Sequence, residues 1–504
     1  MRRWFVRLSA PLVVSAAVTA AMQPSSPHRH LLIVVDGLRP DYVTEAVMPN
    51  LTALGRRGVV FNGHHSIYPT VTRVNAASLS TGGYPNTHGL MGNSVFFPAV
   101  DKAKFLDTAD REQLLAIMKT ERQLLTAPTL GEWLQQAGRR MLVVSSGSAG
   151  SALLNNHLVA DGAILHPQFT MPESLALAVR EAVPALAPGA PAAARDARAV
   201  DMFLTVGLRV DPSVTVLWLG GLDSTAHDKG LGAPETLEVL RGVDLQVKRI
   251  EDGLRGAGLI DSYNIWVTSD HGFSTHAGGA DVAAVLRPFA GVLSDGSPRL
   301  VSGGGAIYVR DDDQSAVAGI VATLQRTPRV GAIFTRAAVP GSFDGRIAGT
   351  LSFEAIRWDH ARSADILFSP DWSDAANAYG VRGSAASGGT AGHGSSSPWD
   401  IHNTAIAAGP DVKRGVTIDA PSANVDFAPT FLKALGLPIP ASVQGRPLDE
   451  ALINGRAVAP SAIRKVEHVA RTSDGRYAVT GNFSIVTAGG REYRYFDGTR
   501  VVRK

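Results

Sequence analysis

Three short apolar runs end abruptly at aspartate, and that pattern constrains the fold of this 504-residue chain more than any other feature. Leu31–Val35 stops at Asp36-Gly37, Thr215–Leu219 runs through two glycines to Asp223, and Asn264–Thr268 leads to Asp270-His271-Gly272. Runs that are apolar at every position suit strands covered on both faces, as in a parallel sheet between helices. Met141–Val144, Ile366–Phe368 and Thr404–Ala407 are of the same kind. Helical stretches lie between them; in Pro234–Leu254, Leu237, Leu240, Val243 and Val247 follow helical spacing. The alternation predicts a doubly wound α/β fold, mostly parallel, with helices on both faces. Ligands of such sheets bind beyond the carboxyl ends of the strands, where these aspartates sit.

Around that core the chain reads in pieces. Residues 1–24 have the form of an export signal: Arg2, Arg3 and Arg7, then a mostly apolar Leu8–Ala21 with small Val18-Thr19-Ala20 for cleavage. Arg2-Arg3-Trp4-Phe5-Val6 also resembles a twin-arginine signal, so a periplasmic or secreted location is expected. No later stretch is long and apolar enough to predict a membrane anchor. The α/β domain is expected over 25–450, with a cap-like insertion at about 279–361, and an antiparallel extension over 451–504 turning at Gly489-Gly490 and Asp497-Gly498. Ala176–Ala194 reads as a helix plus surface connection, and Gly- and Ser-rich Tyr379–Pro398 as a mobile loop. With 48 basic against 45 acidic residues there is no nucleic-acid signature. The absence of cysteine excludes disulfides, thiolate metal sites, a cysteine nucleophile and a lipid-anchor cysteine. No Gly-x-Ser-x-Gly elbow and no phosphate-binding Gly-Lys-Ser/Thr loop occurs.

Asp36, Asp223 and Asp270 are joined by His227, four residues after Asp223, by His271, and by His393 within Ala-Gly-His-Gly-Ser. Each alone would pass for a cap or turn residue. Together they offer three carboxylates and three imidazoles, a sulfur-free set suited to zinc or manganese. A hydroxyl nucleophile is available at Thr72, read as the N-cap of a helix starting at Arg73, where backbone N–H groups attract anions; Thr70 serves that description as well.

The set resembles the alkaline phosphatase superfamily, specifically its type I phosphodiesterase/nucleotide pyrophosphatase branch. The motifs are Asp36-Gly37-Leu38-Arg39-Pro40-Asp41-Tyr42 with Met48-Pro49-Asn50-Leu51, Thr72-x-x-Asn75, Thr81-Gly82 through Pro85, His88-Gly89 and Asn93, then Asp223-x-x-x-His227, Asp270-His271-Gly272, Gly392-His393-Gly394 and Asp426 to Thr430. The resemblance implies an alkaline-phosphatase-like fold and a two-ion site, most naturally zinc. One ion would sit on Asp223, His227 and His393, the other on Asp36, Asp270 and His271 with the Thr72 oxygen. It also implies a phosphothreonine formed at Thr72, Asn93 as donor to a phosphate oxygen, and a small phosphodiester or nucleotide as substrate. Arg73, Asn75 and His276 are further candidate substrate contacts. The family's nucleotide enzymes follow the threonine with Phe where this chain has Arg73, expected here to face solvent or packing. Superfamily monoesterases carry a cation where Ser145–Gly150 is neutral. Diesters are therefore expected over monoesters. His64, His65, His88 and the segment Trp399–Asn403 read as structural. Phosphonoacetate hydrolases share the metal set and the Thr-x-x-Asn segment, so C–P cleavage is an alternative, as are a phosphomonoesterase and a non-catalytic metal-stabilised binding protein. The sulfatase-like Ser25-x-Pro27-x-Arg29 precedes the first strand and is out of order for a nucleophile.

Overall fold

The computed structural model describes residues 28–504, so the expected export signal lies outside the described residues. Nine strands build the central sheet: β1 (Arg29–Val35), β2 (Val59–Phe61), β3 (Met141–Ser145), β4 (Ala163–His166), β5 (Phe169–Met171), β6 (Val214–Leu219), β7 (Tyr263–Thr268), β8 (Ala405–Ala408) and β9 (Val416–Ile418). Their order is β9-β2-β8-β7-β1-β6-β3-β4-β5, with β7, β1, β6, β3 and β4 all parallel. β3, β6 and β7 are buried at every position, which is why their sequences carry no polar alternation. Alternate residues of β1 serve opposite layers. Leu32 and Val34 join one apolar core, and Leu31, Ile33 and Val35 join the other. This is the α/β architecture that the apolar runs predict.

Two runs land elsewhere than the parallel core. The first becomes the strand Ile366–Pro370 in a separate five-stranded sheet with Leu300–Gly303, Ala306–Val309, Val330–Thr335 and Leu351–Ser352, backed by the helix Gln314–Arg326. The second becomes β8, antiparallel to β7. The Gly- and Ser-rich stretch is no structureless loop: Arg382–Ala385 and Ala391–Gly392 pair with Ser274–His276 and Trp372–Ala376 in a four-stranded sheet. Its glycine is needed for close approach, since a Cβ on Gly392 would lie 2.5 Å from His276 Cε1. At the C-terminus Ile463–Arg471, Tyr477–Ala488 and Arg491–Arg503 form an antiparallel sheet turning at Gly489-Gly490. Asp497-Gly498 is not a turn but a bulge inside the last strand, where Asn482 pairs with Gly498 and Phe483 with Phe496. The extra residue, Asp497, is thereby aimed off the ladder. Among the described residues no helix is long and apolar enough to cross a membrane.

Candidate active site

β7, β1 and β6 are adjacent, and each delivers one aspartate past its carboxyl end. Asp36 follows β1 directly, Asp270 follows β7 by two residues, and Asp223 stands in the first turn of α1 (Gly221–Lys229), which starts after β6. Each of the first two carboxylates has one oxygen held and one free. Trp218 Nε1 donates to Asp36 Oδ2 at 2.9 Å, and the Gly37 N–H donates to Asp270 Oδ1 at 3.1 Å. Asp36 Oδ1, Asp270 Oδ2 and Asp223 Oδ1 are buried with no hydrogen-bond partner.

Facing those oxygens are three imidazoles in a single tautomer. His227 Nδ1 donates to Ala391 O (2.9 Å), His271 Nδ1 to Gly272 O (2.9 Å) and His393 Nδ1 to Thr70 O (2.8 Å). A carbonyl only accepts, so each Nδ1 carries the hydrogen and each Nε2 presents a lone pair. Nε2 of His271 lies 3.4 Å from Asp36 Oδ1 and 3.1 Å from Asp270 Oδ2. Nε2 of His227 and His393 lie 3.3 and 3.5 Å from Asp223 Oδ1. Two ligand atoms about 2.0–2.1 Å from one ion at tetrahedral angles stand roughly 3.3 Å apart. Lone pairs and orphaned carboxylate oxygens at that spacing suit divalent cations, so the residues fit a metal pair. Burial, with Asp270 and Asp223 alongside, pushes Asp36 well above the usual carboxyl range, and burial likewise raises Asp270. Burial, with His271 alongside, holds His393 well below the usual imidazole range. Burial opposes the charge of Asp223 too, but His227, His393 and His271 outweigh it and keep that carboxyl low.

The nucleophile candidate opens α2, the helix Thr72–Thr81, as its first residue; the N-cap is Val71, and Thr72 makes no capping bond. Its hydroxyl lies 3.2 Å from His271 Nε2, so it donates to that lone pair. Asn93 is the side chain that closes the start of this helix: its Oδ1 accepts from the Arg73 N–H at 3.0 Å, which fixes the amide and leaves Nδ2 to donate. Thr70 holds the His393 loop, its hydroxyl donating to Ser395 O and accepting from the Gly394 N–H. All four hydrogen-bonding positions of Asn75 are taken, by Ile67, Val71 and Asn424, which leaves none for a substrate. Arg73 is half-buried rather than turned outward. It lines a cavity of about 330 Å³ together with Asp36, Thr72 and Asp223.

His276 stands behind Gly392, near His227, and donates to Gly388 O, outside the residues lining that cavity. His88 is buried between Ser78 Oγ and the Leu90 N–H. His65, His402 and Asp497 also bring three ligand-type atoms together. Here the geometry is that of hydrogen bonding, with His65 Nε2 only 2.7 Å from Asp497 Oδ1, itself also bonded by Ser484 and near Lys465. Two supporting residues gave no signal in the sequence. Trp218 orients Asp36, and Asp196 accepts from Ser146 Oγ and the Gly221 N–H at the start of α1.

A family model described as type I phosphodiesterase/nucleotide pyrophosphatase matches residues 30–381. Ectonucleotide pyrophosphatase/phosphodiesterase family member 7 of Rattus norvegicus is 26% identical over 280 residues, 54% of this chain and 56% of that protein. The Homo sapiens protein of the same name is 24% identical over 268 residues, 53% of this chain and 52% of that protein. The chain spans about half the length of the curated relatives it matches. Among solved structures, an inactive variant of murine ectonucleotide pyrophosphatase/phosphodiesterase 5 in complex with AMP superposes with a TM-score of 0.60 at 18% identity, covering 84% of this chain and 100% of that one.

Proposed function

Because the chain belongs to the type I phosphodiesterase/nucleotide pyrophosphatase family, we propose that it is an exported, metal-dependent hydrolase of small phosphodiester or pyrophosphate substrates, working through a covalent phosphothreonine at Thr72. One observation carries this reading: three orphaned carboxylate oxygens and three imidazole lone pairs meet beside the hydroxyl of Thr72. Asp36, Asp270 and His271 would hold one cation beside Thr72, and Asp223, His227 and His393 the other. Two divalent ions, zinc by the sulfur-free mix of imidazole and carboxylate donors, would lower the pKa of the threonine hydroxyl and offset negative charge on the phosphoryl oxygens.

The chain's own groups then divide the work. Thr72 Oγ gives up its proton to solvent and adds to phosphorus opposite the leaving oxygen, whose bond to phosphorus breaks, and the leaving group takes that electron pair with a proton from solvent. Asn93 Nδ2 donates to a non-bridging oxygen as charge builds there. Water opens the phosphothreonine in a second in-line displacement and restores the hydroxyl. Phosphorus inverts twice, so its configuration is retained overall. Purified protein, loaded with zinc, is the test: hydrolysis of an aryl phosphodiester should vanish on exhaustive chelation and return with zinc. Full turnover by metal-free protein would overturn the reading.

A further inference from the structure

Of the two ester charge classes that a site of this kind can take, the cavity beside Thr72 selects one. Its wall includes Arg73 and Arg195, and no Phe, Tyr or Trp against which a base could stack. Arg195 donates to Ser224 Oγ. Arg73 is committed to nothing: its Nε is buried without a hydrogen-bond partner, and among the described residues it forms no salt bridge. Burial lowers its pKa, while Asp36, Asp107, Asp223 and Asp270 act on it in the opposite sense, so the guanidinium lies within the field of the reacting carboxylates. A guanidinium that shares a cavity with Asp36 and Asp223 but pairs with neither is free to meet an anionic ligand there.

The balance of charge says how anionic that ligand is. With Thr72 still protonated, two divalent cations exceed three aspartates by one positive charge, which a singly charged ester already balances. Arg73 raises that excess to two, which suits a substrate with a second negative charge next to the scissile phosphorus. We infer that Arg73 is a specificity-determining residue, binding that second anion: the second ionised oxygen of a phosphomonoester or the neighbouring phosphate of a pyrophosphate. This reading rests on the phosphoryl-transfer function proposed above. It reverses the preference for simple diesters that the neutral Ser145–Gly150 segment suggests. That segment lies on the same cavity through Ser146, Gly147 and Ser148, but the cation comes from the nucleophile's own helix.

Three substrates with one aryl leaving group separate the cases: the monoester, the methyl diester and the methyl diphosphate. In the zinc-loaded wild type, kcat/KM for at least one of the two doubly charged esters should exceed that for the diester; the favoured one identifies the source of the second charge. Arg73→Gln should lower that ratio by about thirtyfold, the loss of one hydrogen-bonded charge contact, and Arg73→Lys should recover part of it. Binding gives a second readout that needs no turnover. By calorimetry wild type should prefer inorganic phosphate to dimethyl phosphate, and Arg73→Gln should lose that preference. An unchanged ratio and an unchanged binding preference in Arg73→Gln would overturn the inference. Absence of turnover on all three esters would instead count against the proposed function, while the binding comparison would still decide the role of Arg73.

Discussion

Thr72 and Thr70 lie two positions apart and carry the same hydroxyl, yet their surroundings give them different work. The Thr72 hydroxyl makes no cap and faces His271. Thr72→Ala should therefore cost less than about 1 kcal/mol of stability, because no capping bond is lost, while lowering turnover by at least about a thousandfold. Thermal unfolding and steady-state rates on one preparation check both parts. The Thr70 hydroxyl ties down the loop that carries His393. Thr70→Ala should weaken zinc binding by about ten- to a hundredfold, as loss of a group that orients a ligand does, measured by competition with a chromogenic chelator. The six residues of the proposed metal centre were legible in the sequence because strand-end aspartates and the Asp-x-x-x-His spacing are local patterns, which the family resemblance joined into one set. The direction of Arg73 was not, since one helical position further on says nothing of which neighbours leave room. Nor was the bond from Asn93 to the Arg73 N–H, which spans 20 residues.

At the scale of elements, the C-terminal sheet is fastened to the α/β core by buried charge. Arg446 is 1% exposed; it binds Glu450 through both terminal nitrogens (2.9 and 2.6 Å) and donates through Nε to the Tyr495 hydroxyl at 2.9 Å. That hydroxyl in turn donates to Asp426, whose carboxyl burial pushes up to about 6. Removing one partner leaves the others buried without compensation. Arg446→Met should cost about 3–5 kcal/mol, and adding Glu450→Gln should restore part of it, as read from urea unfolding. The bulge at Asp497 adds a second fastening by reaching His65. The two strands flanking Gly489-Gly490 followed from alternation, whereas Ile463–Arg471 did not. The bulge did not, because Asp-Gly inside a strand and Asp-Gly at a hairpin turn look alike until the register of the partner strand is known. The Gly- and Ser-rich stretch misled for a similar reason: Gly383 and Gly392 serve close packing, against Trp399 and His276, within paired strands.

Across the whole molecule, buried neutral histidines tie stability to pH. Burial holds His64 and His88 at about 3 and His30, His166 and His402 at about 4. The unfolded chain protonates these groups near 6.5 while the folded chain does not. Below that pH unfolding takes up protons, and each histidine lowers stability by about 1.4 kcal/mol per pH unit until its folded pKa is reached. Raised carboxyls such as Asp196 and Asp426, both at about 6, act in the opposite sense between about 4 and 6. The clean readout is therefore one residue's share: between pH 4 and 6, His88→Asn should reduce the slope of unfolding free energy against pH by about one proton, about 1.4 kcal/mol per unit. An identical slope would place His88 outside this account. The central claim is covalent chemistry at Thr72, and acid quenching during turnover of an aryl phosphodiester tests it most directly. Peptide mass analysis should find the substrate's phosphoryl fragment on Thr72 in wild type and on no residue in Thr72→Ala. Steady-state turnover by Thr72→Ala at the wild-type rate, or the fragment on Thr70, would contradict it.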